Sequence, residues 1–177
     1  MGSYAMTGGA TGIGAAIRKS LVSAGHQLIV VDVKDADINA DLSTAEGRAE
    51  ALAGIKARAS DGLDGFIACA GVSGSVPVKP LIPSVNYFGS VELVDGLRDL
   101  LRTRRGSVVL IASNSAPMET RQDYVDALLA GDEAAARAIA EDTDGHPLYS
   151  GSKQAIARWM RRNTQSYAAE GDRKSVV

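Results

Sequence analysis

The chain has 177 residues, enough for one domain with a buried core, and its 45% hydrophobic and 23% charged content is that of an ordinary globular protein. A formal net charge of −2 argues against nucleic acid or an anionic membrane surface as a partner, and a single cysteine, Cys69, excludes an internal disulfide and fits a reducing, cytoplasmic setting. No stretch approaches the ~20 apolar residues of a membrane span, the first residues lack the pattern of a signal peptide, and neither histidine has a partner at zinc-ligand spacing, so no metal is expected.

Short apolar runs alternate with longer helical stretches, which predicts an α/β fold with a doubly wound parallel sheet. Tyr4 to Thr7 reads as a first strand, followed by a glycine-rich turn. A helix follows through Ile13, Ile17, Leu21 and Val22, whose spacing puts them on one face, and Gly25 closes it. Leu28 to Val31 is a continuous apolar run suited to a strand buried on both faces, ending at Asp32. An alanine-rich helix over Ala45 to Ala59 precedes a strand at Gly65 to Ala68. Val72 to Pro83 contains three prolines and reads as a loop. A helix from Val85 to Leu101 and a strand from Ser107 to Ala112 come next. An insertion over about 116–147 follows, helical from Asp132 to Glu141 with Asp132 as N-cap. The last helix is expected from Tyr149 to Ala169, with Lys153, Ile156, Met160 and Tyr167 on one face. We expect a single domain over 1–177.

The segment Thr7-Gly8-Gly9-Ala10-Thr11-Gly12-Ile13-Gly14 sits between a strand and a helix. Glycine there permits a sharp turn and close backbone approach to a pyrophosphate, and the helix start offers N–H groups to the anion. Asp32, 18 residues after Gly14 at a strand end, is placed to accept hydrogen bonds from ribose hydroxyls and to repel a 2′-phosphate, which points to NAD rather than NADP. Tyr149 and Lys153 stand four apart on one helix face. A tyrosine with a pKa near ~10 is a poor base at neutral pH, and a fixed ammonium nearby lowers that pKa.

In this order, the TGxxxGIG turn, Asp32, Cys69-Ala70-Gly71, Asn86-Tyr87-Phe88-Gly89, a strand-end serine and YxxxK resemble the short-chain dehydrogenase/reductases over essentially the whole chain. The resemblance implies a Rossmann-type fold and an NAD-dependent oxidoreductase that interconverts a secondary alcohol and a ketone, with a steroid or related carbonyl as candidate substrate. It implies that Gly8, Thr11, Gly12, Ile13, Gly14, Asp32, Asp41, Leu42, Cys69, Ala70, Gly71, Tyr149 and Lys153 line the cofactor. Tyr149 would move the hydroxyl proton, and Lys153 would assist it. Asn86 would kink its helix and hold a water in a proton relay, and Ser113, with Ser115 as rival, would bind the substrate oxygen. Cys69 replaces the family's usual Asn and reads as a small buried residue.

Against that pattern the chain stops early. The strand expected beside Ser107 to Ala112 has only Lys174 to Val177 as a candidate, too short for a full strand. The expectation is therefore a C-terminally incomplete fold, with an exposed sheet edge, Ile156 and Met160 uncovered, and a tendency to aggregate. A non-catalytic dinucleotide-binding fragment or partner-dependent subunit is the alternative. A homo-oligomer, with a dimer favoured, is expected through Leu128, Leu129 and Ile139 of the insertion.

Overall fold

The computed structural model describes residues 1–169 and 173–176. Six parallel strands lie in the order β3-β2-β1-β4-β5-β6: β1 Ser3–Thr7, β2 Gln27–Asp32, β3 Ile38–Asn39, β4 Gly65–Ala68, β5 Ser107–Leu110 and β6 Arg173–Val176. The chain winds outward from β1 to β3, then returns to place β4 on the other side of β1. That reversal leaves a crevice at the C-terminal ends of β1 and β4, the usual ligand position in an open parallel sheet. Register fixes what lies there. Thr7 pairs with Val31 and with Ala68, and Ala68 pairs with Leu110. The next residue on each strand is therefore Gly8, Asp32, Cys69 and Ile111, four neighbours along one rim.

Helix α1 (Gly12–Ser23) ends as expected, with Gly25 and His26 donating to the carbonyls of Val22 and Leu21. Its apolar face is only half used. Ile17 and Leu21 pack on Met6, Val30 and Ile67, whereas Ile13 and Val22 are exposed. Helix α2 (Ala45–Arg58) is capped by Thr44, whose hydroxyl accepts from the Gly47 N–H at 3.0 Å.

The single helix expected from Val85 to Leu101 is three pieces: a π-helical stretch at Ile82–Phe88, α3 (Gly89–Gly96), and α4 (Arg98–Arg104) after a break at Leu97. The wider π turn carries Asn86, and Pro83 is tolerated because it falls in the first turn, where its missing N–H removes no intrahelical bond.

The insertion contains α5 (Gln122–Ala130) and α6 (Glu133–Glu141), the latter capped by Asp132, whose carboxylate accepts from the Ala135 N–H at 2.9 Å. Tyr124, Val125, Leu128, Ala136 and Ala140 are buried in the main core. Leu128 is therefore spent on its own domain, while Leu129 and Ile139 are half-buried. Arg48 of α2, only 3% exposed, ties the insertion down. It bonds Glu92 of α3 at 2.7 Å, Glu133 of α6 at 2.5 Å and the Leu42 carbonyl at 3.1 Å. Burial opposes its charge, but the hydrogen bonds and attraction of the two carboxylates outweigh that and raise its pKa.

Helix α7 (Gly145–Ala169) begins four residues before Tyr149. The expectation of an uncovered edge and helix face is corrected here. β6 pairs with β5 over four residues, Arg173 with Ser107 through Val176 with Leu110, as long a pairing as β5 allows. Ile156 is buried, and Met160 is half-buried against the core. Val176 is β-branched and suits a strand, but a four-residue strand looks too short until its partner proves equally short. Among the described residues no helix is long and apolar enough to cross a membrane.

Candidate active site

At the crevice a cleft of about 640 Å3 opens along the rim. Its first wall is the turn after β1. Gly8 adopts φ +74°, and a Cβ there would lie 2.6 Å from the Ala70 backbone, so only glycine lets the loops after β1 and β4 meet. Thr7 locks that meeting: its buried Oγ1 accepts from the N–H groups of Cys69 (3.2 Å) and Ala70 (3.1 Å). At Gly12 a Cβ would meet nothing within 4 Å, so the turn faces open space. The Thr11 side chain makes no capping bond, and the first turn of α1 carries no acidic residue. Its N–H groups and positive dipole end are left for an anion.

Asp32 closes the second wall. Oδ2 accepts from the Ala10 N–H at 2.9 Å and Oδ1 from the Val33 N–H at 2.8 Å. Each oxygen keeps a second lone pair for a ligand. Beyond it, Val33, Ala40, Asp41, Leu42 and Ser43 continue the lining. Ile13 (67% exposed) and Val33 (65% exposed) stand as large apolar side chains at this cleft, the kind of surface a flat ligand covers.

At the other end lie Cys69 to Ser73, Leu81, Val85, Ile111, Tyr149 and Lys153. Lys153 is 5% exposed, and its Nζ donates to the Ile111 carbonyl at 2.8 Å and sits 5.7 Å from the centre of the Tyr149 ring. Burial pushes its pKa down to about 8, only partly offset by attraction to Cys69. The Cys69 thiol is pushed up by burial, against the pull of Lys153 and with the repulsion of Asp32. That direction disfavours the thiolate, which is the reactive form of a cysteine.

All thirteen residues expected to line a cofactor lie on this cleft. Asn86 and Ser113 do not. Asn86 is buried behind the wall, where Oδ1 accepts from the Val72 N–H (2.8 Å) and Nδ2 donates to the Val72 carbonyl (3.0 Å) and to Ser152 Oγ (3.3 Å). Its side chain thus fastens the loop after β4 to α7. Ser113 lies two residues past Ile111, and its Oγ accepts from the Ser115 hydroxyl at 3.0 Å and N–H at 3.2 Å. Thr7 and Ser152, whose Oγ donates to the Tyr149 carbonyl at 2.7 Å, were not picked out from sequence. A polar residue closing a buried strand was the available signal for Thr7. Among the described residues, no group of three or more His, Cys, Asp or Glu is placed to hold a metal.

The space at Gly12, the uncapped helix start, the exposed apolar side chains and the Asp32 carboxylate fit a dinucleotide laid across the rim. Comparison with known proteins agrees. The short chain dehydrogenase family model matches residues 4–125. The 3-alpha-hydroxysteroid dehydrogenase/carbonyl reductase of Comamonas testosteroni is 39% identical over 183 residues, an alignment covering all of this chain and 71% of that protein. The crystal structure of the 3-alpha-hydroxysteroid dehydrogenase from Pseudomonas sp. B-0831, complexed with NADH, superposes with a TM-score of 0.95 at 41% identity, over 98% of this chain and 70% of that one. An oxidoreductase from Brucella ovis, at 24% identity and a TM-score of 0.77 over 99% of this chain and 81% of its own, shares the fold. By family model, by identity and by architecture, the chain belongs to the short chain dehydrogenase family of oxidoreductases.

Proposed function

We propose that the protein binds NAD and interconverts a secondary alcohol and a ketone, with a 3α-hydroxysteroid or related apolar carbonyl compound as substrate. The observation that carries this is the single cleft holding Asp32 at one end and the Tyr149–Lys153 pair at the other. Bound NAD supplies the carbon that gives or takes a hydride. Tyr149 gives or takes the hydroxyl proton. Lys153, anchored on the Ile111 carbonyl, holds positive charge near the phenol and favours its ionised form. Asn86 keeps the Val72 loop in place as the floor of the site. Ser113, whose Oγ accepts from the Ser115 hydroxyl, donates to the substrate oxygen in exchange for its 3.4 Å bond to Asn114 Oδ1. Val72, Leu81, Val85 and Ile111 give that end of the cleft an apolar lining, which suits a bulky hydrophobic substrate. Two of the relatives named above, the Comamonas testosteroni and Pseudomonas proteins, are 3-alpha-hydroxysteroid dehydrogenases by their own descriptions and support the same substrate class.

The test is to titrate NADH by fluorescence and to assay NAD-dependent oxidation of a 3α-hydroxysteroid. Tyr149→Phe should abolish nearly all turnover and leave NADH affinity close to normal. Undiminished turnover in that variant would mean another group carries the proton. NADH binding without turnover by the unmutated chain would favour a non-catalytic dinucleotide-binding role. We further infer a cytoplasmic homodimer, from the unpaired cysteine and from the half-buried Leu129 and Ile139 of the insertion. Sedimentation of wild type against a Leu129→Lys, Ile139→Lys double variant tests the dimer, and an unchanged mass would refute this surface.

A further inference from the structure

The insertion grips α7 on both sides of Tyr149. Thr120 Oγ1 donates to the Pro147 carbonyl at 2.7 Å, two residues before the tyrosine. Two residues after it is Gly151. A Cβ at Gly151 would overlap the same Thr120 Oγ1 and would come within 2.8 Å of Cδ1 of Tyr124, whose fully buried ring occupies that space. One turn further on, Gln154 Nε2 donates to the Ala116 carbonyl at 3.0 Å. The segment from Ala116 to Tyr124 therefore lies along the second turn of α7, and the absence of a side chain at 151 is what admits it.

We propose that Thr120 is a positioning residue for Tyr149, setting where the phenol stands relative to the Lys153 ammonium. The proposal rests on the reading of Tyr149 as proton carrier. Lys153 has an anchor of its own in the Ile111 carbonyl at the end of β5, and Gln154 beside it is held at Ala116, whereas the Pro147 turn before Tyr149 is held by Thr120. The Lys153 side of the pair therefore keeps both of its anchors when Thr120 is changed. Losing the Thr120 hydroxyl releases the Pro147 end of that turn while Lys153 stays put. The phenol is then no longer held at its present place, with its ring centre 5.7 Å from the Lys153 ammonium. Lys153 and Cys69 are the titratable groups lining the same end of the cleft as Tyr149, Asp32 and Asp41 line the other end, and among the described residues no carboxylate of the insertion lines the cleft.

The experiment compares Thr120→Val, which keeps shape and loses the donor, with Thr120→Ser, which keeps the donor. Tyrosines are labelled with 13C at Cζ, and the Tyr149 resonance is assigned by its loss in Tyr149→Phe. We expect Thr120→Val to shift the Tyr149 titration and to lower kcat by about ten-fold, with the NADH Kd changed by less than about two-fold. Thr120→Ser should restore both titration and rate. A Thr120→Val protein with wild-type titration overturns the proposal, and so does a serine variant as impaired as the valine one, since packing and not the hydroxyl then matters. If valine prevents folding, as shown by the thermal melt, Thr120→Ala takes its place with the same expected outcomes. Should the wild type bind NADH without turnover, the oxidoreductase reading falls on its own, and the titration still decides the role of Thr120.

Discussion

Asp32 and Ala10, 22 residues apart in sequence, are joined by a 2.9 Å hydrogen bond from the Ala10 N–H to Oδ2, so the acid at the end of β2 also holds the glycine turn after β1. Removing the carboxylate should have two effects. Asp32→Ala should weaken NADH binding, because the turn loses its tether, and should erase most of the preference for NADH over NADPH, because the repulsion of a 2′-phosphate is gone. Titration of both dinucleotides against both proteins measures this. Tighter binding of NADPH than NADH by the wild type would contradict the role given to Asp32.

Lys153 makes a pH-dependent contribution to stability. Its folded pKa, about 8, lies below the unfolded value near ~10.4. Between those values the unfolded chain binds more protons, so this group makes the fold more stable as pH rises. Below pH 8 the penalty is fully present and amounts to about 3 kcal/mol. Lys153→Met also strands the Ile111 carbonyl, a cost that does not vary with pH. The stability of the methionine variant relative to wild type should therefore fall by roughly 3 kcal/mol between pH 7 and pH 11. Urea melts at both pH values check this, and a pH-independent difference would refute it.

Arg48 should be costly to remove. Arg48→Met leaves Glu92 and Glu133 facing each other without a cation and frees α6 from α2. Both carboxylates retain some exposure and can turn to water, so we expect a loss of about 3 kcal/mol, the lower end for a broken buried pair. Because Arg48 also holds the Leu42 carbonyl at the cleft, NADH affinity should drop as well. Melts and NADH titration of Arg48→Met, with Glu133→Gln as the milder comparison, measure both effects.

The Tyr124 hydroxyl is buried with no hydrogen-bond partner among the described residues. Burial alone drives its pKa far above the ordinary tyrosine value. An unsatisfied buried hydroxyl costs about 1–3 kcal/mol. Tyr124→Phe, which keeps the ring against Gly151, should raise stability by about 1 kcal/mol and leave turnover unchanged. A destabilised phenylalanine variant would show that the hydroxyl is satisfied in solution.

The rim of the site was legible in the sequence because it depends on strand ends. Gly8, Asp32 and Cys69 each follow a short apolar run, and parallel register turns those three positions into neighbours. What could not be read was anything settled by two distant segments at once. The Thr7 fork onto Cys69 and Ala70 and the Asn86 clasp on Val72 depend on how loops meet in space, whereas a kink at Asn86 is what the family resemblance implies, and there the structure has a π turn. At Ile13 two readings of the sequence differ: helical periodicity puts it on one face with Ile17, whereas the family resemblance puts it beside the cofactor, and the structure has it exposed on the cleft. The insertion is expected to be mostly helical from Thr120 to Asp142, and it holds two helices; the boundary between them is the harder part to read, because Gln122, Asp123 and Asp126 dilute the apolar face of the first, although Tyr124, Val125 and Leu128 bury well.

The pairing of β6 with β5 bears on the order of events during folding. The β1–β2 hydrogen bonds close across one helix, whereas β5 must wait until α5, α6 and α7 have been laid down before Arg173–Val176 can return to it. Closing so long a loop is entropically slow, and non-local pairing of parallel strands is the slowest kind. The backbone edge of β5 should therefore be the last to be covered in refolding. Its vulnerability to self-association then belongs to a transient species, and it should grow with protein concentration during refolding rather than in the finished fold.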